Sequence, residues 1–298
     1  MAQQAPSAPL VLAESYRRTS NTLRAQYMRD MLSLFPLLHN DSHGVIDETV
    51  APWLRLVILL VQRYRGLDGA LAQQYMTTAR LVELGEPGPR VLPGVMPDEQ
   101  IVRTLLHTGP NVIDRKLADG LTEQQARAAA AAQTLSAGSR LVLDAGRDVV
   151  DRTVRADDAA LGWMRVTDDD PCAFCAMLAS RGAVYKSAES AGAEHDVPIP
   201  DGDQLVPGGV AFTSDWHNGC GCQVVPVFTR DPALPAVSVA ALDLWNAATT
   251  KLPNAERLNA YRRAVEGRPL GPRPGFPDGD PLYGKTYDRL NAGKISTG

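Results

Sequence analysis

The stretch "DDDPCAFCAML", residues 168–178, decides how this chain is read, together with "HNGCGC", residues 217–222. Cys172 and Cys175 form a Cys-x-x-Cys step; after 41 intervening residues His217, Cys220 and Cys222 form His-x-x-Cys-x-Cys. A Cys-x-x-Cys turn presents two sulfurs to one ion, and side chains two apart on extended backbone share a face, so Cys220 and Cys222 present two more. Thiolate and imidazole in a closed tetrahedron are what structural zinc prefers. The five candidates exceed the four ligands zinc takes. Cys172, Cys175 and Cys220 are expected members, with His217 and Cys222 competing for the fourth position and the loser hydrogen-bonding from outside. Such a closed site is structural, and it would pin the intervening segment, whose composition cannot build its own core.

Other chemistries fit the same residues less well. All four cysteines lie within the 51 residues from Cys172 to Cys222, whereas a disulfide framework would spread them. The N-terminus "MAQQAPSAPLVLAES" has no basic region and only a short apolar patch, so a secretory signal is not expected and the compartment should be reducing. A thioredoxin-like redox pair would need a parallel-sheet context that the first half does not supply. A nucleotide deaminase is the sharpest rival, because its signature ends in Pro-Cys-x-x-Cys and Pro171 precedes Cys172. That chemistry needs a glutamate two residues after an upstream ligand, yet Asp41, Val45 and Gly109 follow His39, His43 and His107 at that spacing.

Charge narrows the partners. The net charge is −4, but residues 251–298 carry nine Lys and Arg against five Asp and Glu, a basic end on an acidic body. Between Asp157 and Cys222 eleven acidic residues face three basic ones, which makes the cluster a poor nucleic-acid finger. "DGDQLVPGG", residues 201–209, lacks calcium-loop spacing. In the tail, Arg262, Arg263, Arg268, Arg273, Lys285, Arg289 and Lys294 interleave with Phe276, Tyr283 and Tyr287, a pattern suited to DNA, to another subunit, or to plain solvation. The longest apolar run, Leu56 to Val61, is far short of a membrane span. No Gly-rich phosphate loop, nucleophile elbow or His-Glu-x-x-His motif supports an enzyme.

The periodicity predicts α+β architecture, mostly helical. Tyr16, Leu23, Tyr27, Met31 and Leu34 mark a first helix ending near Pro36, and a second runs from about Asp47, its expected cap, to Leu84. A short helix follows at "EQIVRTLLHTG", residues 99–109. The clearest helix starts at the Thr122/Gln125 capping box and reaches Arg155. Its seam of Ala128, Ala131, Leu135, Gly138, Val142, Ala145 and Val149 suits close packing, within the chain or in self-association. "LGWMRVT" and "CQVVPVF" read as strands, residues 173–182 as a short helix closed by Gly182, and 189–215 as a loop. Two further helices are expected near 238–251 and 256–265, and beyond Gly267 five prolines in fifteen residues disfavour compact structure. The expected divisions are a helical region at 1–120, a core at 121–230 whose metal-stapled part spans about 156–230, and short helices with a Pro-rich tail at 231–298.

The run "GWMRVTDDDPCAFCAMLASRGAVY", residues 162–185, followed by "WHNGCGCQVVPVF", residues 216–228, resembles the core of minor head proteins related to protein F of phage Mu, the MuF-like capsid proteins. In that family a strand ending in a Cys-x-x-Cys turn is followed by a His-x-x-Cys-x-Cys segment, here Cys172, Cys175, His217, Cys220 and Cys222. The strong part of the resemblance covers about residues 120–228. It implies a non-enzymatic virion component of a tailed phage or prophage, with no membrane and no small-molecule substrate. Such a protein is made in the host cytoplasm and built into the head, often by binding the portal beside the major capsid protein, and it acts in morphogenesis and genome delivery. The competing readings are a cytoplasmic zinc enzyme of deaminase type and a helical adaptor that binds through its Ala-rich seam.

Overall fold

Thr122 caps the helix around which the chain is organised. Its hydroxyl accepts the Gln125 N–H at 3.3 Å, and the Gln125 side chain accepts the Thr122 N–H at 3.0 Å, completing the capping box. The computed structural model describes residues 7–38, 49–167, 171–183, 185, 195–201, 204–213 and 220–267. Within it this helix, α5, runs Glu123–Ala156. Before it come α1 (Ala8–Leu34), a 3-10 turn (Phe35–Leu37), α2 (Val50–Leu84), α3 (Asp98–Thr108) and α4 (Pro110–Ala118). After it come β1 (Gly162–Val166), α6 (Ala173–Ser180), β2 (His195–Asp201), β3 (Gln204–Thr213), β4 (Gln223–Val227), α7 (Ala236–Thr249) and α8 (Asn254–Gly267). The α+β, mostly helical reading holds. Among the described residues no helix is long and apolar enough to cross a membrane.

Three long helices make the frame. Tyr16 stacks on Tyr75 at 4.6 Å and Tyr27 meets Tyr64 edge-on at 5.7 Å, so α1 and α2 run antiparallel. Arg65 donates to the Leu141 carbonyl and Asp68 accepts the Gly146 N–H, so α2 and α5 run parallel. The 85–97 connection, α3 and α4 return the chain between them. Gly85, at φ 81°, closes α2, and its N–H donates to the Leu81 carbonyl. A Cβ on Gly138 would overlap the Tyr27 hydroxyl, and one on Gly146 would overlap Asp68 Oδ2, so both glycines are needed for helices this close.

The seam expected on α5 is displaced at its start. Ala128 is exposed, and Ala126 and Ala130 are buried instead. Farther along, Leu135, Gly138, Val142, Ala145 and Val149 are buried as expected, against helices of the same chain. The broader burial reflects partners on several sides, since α1, α2, α3 and α4 all pack on α5. The helix α4 was not anticipated, although Pro110 after Gly109 is a start signal. The expected cap Asp47 lies outside the described residues, and α2 begins at Val50.

Two apolar cores flank a polar layer. One gathers Tyr27, Met31, Trp53, Val57, Val61, Ile101, Leu105 and Leu141. The other joins Tyr16, Tyr75, Met76, Val149 and Val154 to β1, α6 and β4. The strands β1 and β4 pair antiparallel, from Gly162 opposite Val227 to Val166 opposite Gln223, and all ten residues are buried. A two-stranded sheet is marginal in water, so this one depends on α5 and α6. Where a loop was expected at 189–215, β2 and β3 form an antiparallel hairpin, His195 opposite Thr213 and Asp201 opposite Gln204. The overlooked signal in the sequence is Gly202-Asp203 between the paired Asp201 and Gln204, a Gly-Asp hairpin dipeptide. The Pro-rich tail beyond residue 267 lies outside the described residues.

Candidate metal centre

Cys172 is the residue before α6, with extended backbone (φ −62°, ψ 159°), and its Sγ accepts the Cys175 N–H at 3.4 Å. A sulfur thus takes the capping position that Ser or Asp usually fills, and Cys175 follows one turn later. Cys220-Gly221-Cys222 enters from the other side, directly before β4. Cys175 Sγ and Cys220 Sγ are 3.6 Å apart, and the sulfurs of Cys175, Cys220 and Cys222 all lie within 4.8 Å of one another. Sulfurs at about 2.3 Å from a tetrahedral zinc are separated by about 3.8 Å, so these three fit such an ion, and the expected ligand Cys172 is not among them. All four cysteines are free thiols, with Cys172 half-buried at the rim and the other three buried. His217 lies outside the described residues. Among the described residues no carboxylate or imidazole joins the group.

The helical frame holds the Cys-Gly-Cys backbone at successive carbonyls. Arg147 on α5 donates from Nη2 to the Cys220 carbonyl at 2.9 Å and the Cys222 carbonyl at 3.0 Å, and from Nη1 to Asp144 at 3.0 Å. Asn21 on α1 donates to the Gly221 carbonyl at 3.3 Å. The next residue, Gln223, donates to Ser20 Oγ at 3.1 Å, and Ser20 donates to Asp68 at 2.5 Å. Asp68 also accepts the Gly146 N–H at 3.0 Å. A continuous polar path therefore runs from the cysteine turn through α1 to α2 and α5.

Electrostatics follow from burial. Hydrogen bonding with the thiols of Cys172, Cys220 and Cys222, and then burial, push the Cys175 thiol well above its ordinary pKa. A cation held by these sulfurs would reverse this, because a ligating thiol is deprotonated outright. Burial works to lower the pKa of Arg165, while the charges of Cys175, Cys220 and Cys222 and its hydrogen bond to Cys175 raise it further than burial lowers it. Burial pushes Asp68 up to about 6, against the pull of Ser20, Arg147, the Gly146 N–H and Arg65.

Four contributing residues, Asn21, Arg147, Arg165 and Asp68, were not singled out by motif. Arg165 is the lone charge in the otherwise apolar strand "GWMRV", and Arg147 interrupts the buried face of α5. A charge inside a buried stretch is the signal that could have found both.

Fold and site together define a mostly helical α+β protein with a cysteine cluster seated against its helical core. A family model described as VG15 protein matches residues 10–247, and the chain belongs to that family, a phage protein family. Two relatives are each named Gene 15 protein. The one from Mycobacterium phage D29 is 30% identical over 249 residues, covering 73% of this chain and 87% of that protein. The one from Mycobacterium phage L5 is 30% identical over 252 residues, covering 72% of this chain and 84% of that protein. No solved structure matches.

Proposed function

We propose that this protein is a minor structural component of a tailed-phage head, of the MuF-like kind, stapled by a structural zinc ion. The observation that carries the reading is the buried cluster of three thiols, whose Cys220–Cys222 turn is hydrogen-bonded by α1 and α5 at three consecutive carbonyls. In this reading Cys175, Cys220 and Cys222 form the centre of the shell and Cys172, beside Cys175, supplies the fourth sulfur. The ion would supply cross-linking and no reaction step. The phage relatives and the MuF-like order of Cys172, Cys175, His217, Cys220 and Cys222 support the virion reading.

In this reading the protein joins the head during assembly in the host cytoplasm, seated against the portal and close to the major capsid protein. The tail beyond residue 267 is assigned to packaged DNA. The test is co-expression of the full chain with the portal protein of the same phage, followed by affinity capture, and immunodetection in purified virions. A stoichiometric portal complex and presence in mature heads are expected; absence from both virions and procapsids contradicts the assignment.

A further inference from the structure

Arg165 is among the largest wholly buried side chains of the described residues, at 0% exposure in the middle of β1. Its strand neighbours Gly162, Trp163, Met164 and Val166 are uncharged, and the paired strand β4 is buried throughout. A guanidinium cannot shed its proton in a protein, so a full positive charge sits inside this wall. Buried charges persist where an opposite charge meets them. Arg165 Nη2 lies 3.5 Å from Cys175 Sγ, in donor position, and the guanidinium carbon is 5.8 Å from the centre of the Phe174 ring, on the first turn of α6. The side chain thus spans from β1 to the Cys-x-x-Cys helix and presents its charge to the sulfurs.

Charge arithmetic gives this contact a role. Four thiolates around a divalent ion leave a net charge of −2 in a region from which water is largely excluded. One guanidinium in contact brings that to −1 without occupying a ligand position. We propose that Arg165 is the charge-balancing and positioning residue of the metal centre, offsetting one of its two excess negative charges and holding the Cys175 sulfur through an N–H···S hydrogen bond. This rests on the metal reading above. It also explains why the strand next to the cluster carries arginine where an apolar residue would pack: the strand supplies part of the centre's electrostatics. Outer partners of metal ligands typically change metal affinity by about 10–100-fold when removed, which sets the expected effect.

The test titrates Co2+ into the reduced full-length chain and then displaces it with Zn2+, comparing wild type with Arg165→Met and Arg165→Lys. The wild type should bind one Co2+ with sulfur charge-transfer absorption. Arg165→Met should retain the helical circular dichroism but bind about 10–100-fold more weakly, while Arg165→Lys, which keeps the charge, should recover most of the loss. Wild-type affinity in a folded Arg165→Met protein, or a Lys variant as weak as the Met variant, overturns the proposal. Should Arg165→Met fail to fold, 113Cd-loaded wild-type protein decides: slowly exchanging Arg165 guanidinium protons coupled to 113Cd support the contact, and fast-exchanging uncoupled ones refute it. A wild type that takes up none of the three metals instead sinks the metal reading itself, and this proposal with it.

Discussion

The Arg147 guanidinium donates to the carbonyl of Cys222 at 3.0 Å across 75 positions of sequence, so a side chain of the central helix holds the turn that carries two of the clustered sulfurs. The same nitrogen reaches the Cys220 carbonyl at 2.9 Å. Removing the guanidinium in Arg147→Met leaves two buried acceptors exposed to no donor of equal strength. Hydrogen bonds to charged groups contribute about 1.5–3 kcal/mol each, so a loss of about 3 kcal/mol is expected in urea unfolding. Metal affinity should fall alongside it, because the turn is no longer preorganised.

Two glycine substitutions should move stability in opposite directions. In Gly146→Ala the new methyl would overlap Asp68 Oδ2 and come within 2.8 Å of the Tyr16 hydroxyl, forcing α1, α2 and α5 apart. Overpacking of this kind costs about 1–3 kcal/mol. Gly66, on the exposed face of α2, has nothing within 4 Å of such a methyl, so Gly66→Ala should stabilise by about 0.5–1 kcal/mol. Thermal unfolding of the two variants reads both signs.

Asp68 predicts a specific pH dependence. Burial raises its pKa from 3.8 to about 6 in the folded chain. A carboxyl with a raised folded pKa holds more protons folded than unfolded, so its favourable contribution is complete below pH 4 and disappears as pH rises through about 6. A shift of roughly two pH units corresponds to about 3 kcal/mol. The difference in unfolding free energy between wild type and Asp68→Asn should therefore slope between pH 4 and 6 and level off above. A flat difference across that range would show that burial does not perturb Asp68.

Chelation supplies a further prediction. A ligand that binds only the folded state adds about 4 kcal/mol when present at a thousand times its dissociation constant. Zinc-loaded protein should lose an amount of that order on treatment with a strong chelator, whereas Cys220→Ser should start at the lower stability and be indifferent to chelator. Melting curves with and without added zinc measure it.

The sequence was most legible where local chemistry is self-contained. The Thr122/Gln125 capping box places α5 to within a residue, Gly182 closes α6 at φ 65°, and the apolar runs of β1 and β4 coincide with the observed sheet. The approach of Cys175 to Cys220 and Cys222 could be read from spacing, because each half presents its sulfurs locally, whereas spacing did not show that Cys222 rather than Cys172 would complete the group of three. What escaped depends on partners distant in sequence. The contacts of Arg147 with Cys220, Asn21 with Gly221 and Gln223 with Ser20 join residues 73, 200 and 203 positions apart, and no periodicity encodes them. The exposure of Ala128 has the same origin, since which face of α5 is covered depends on where α1 to α4 pack. The β2–β3 hairpin was hidden by its prolines, which read as loop even though Pro198 and Pro200 flank the register shift between the strands.

The central claim is that these cysteines close around one structural ion, and zinc K-edge X-ray absorption on the purified full-length protein tests it most directly. The account predicts one zinc per chain with four protein ligands, sulfur at about 2.3 Å dominating the shell and no bound water. A protein purified with zinc in the medium that carries no metal, or a shell of light atoms with water in an open position, would contradict it.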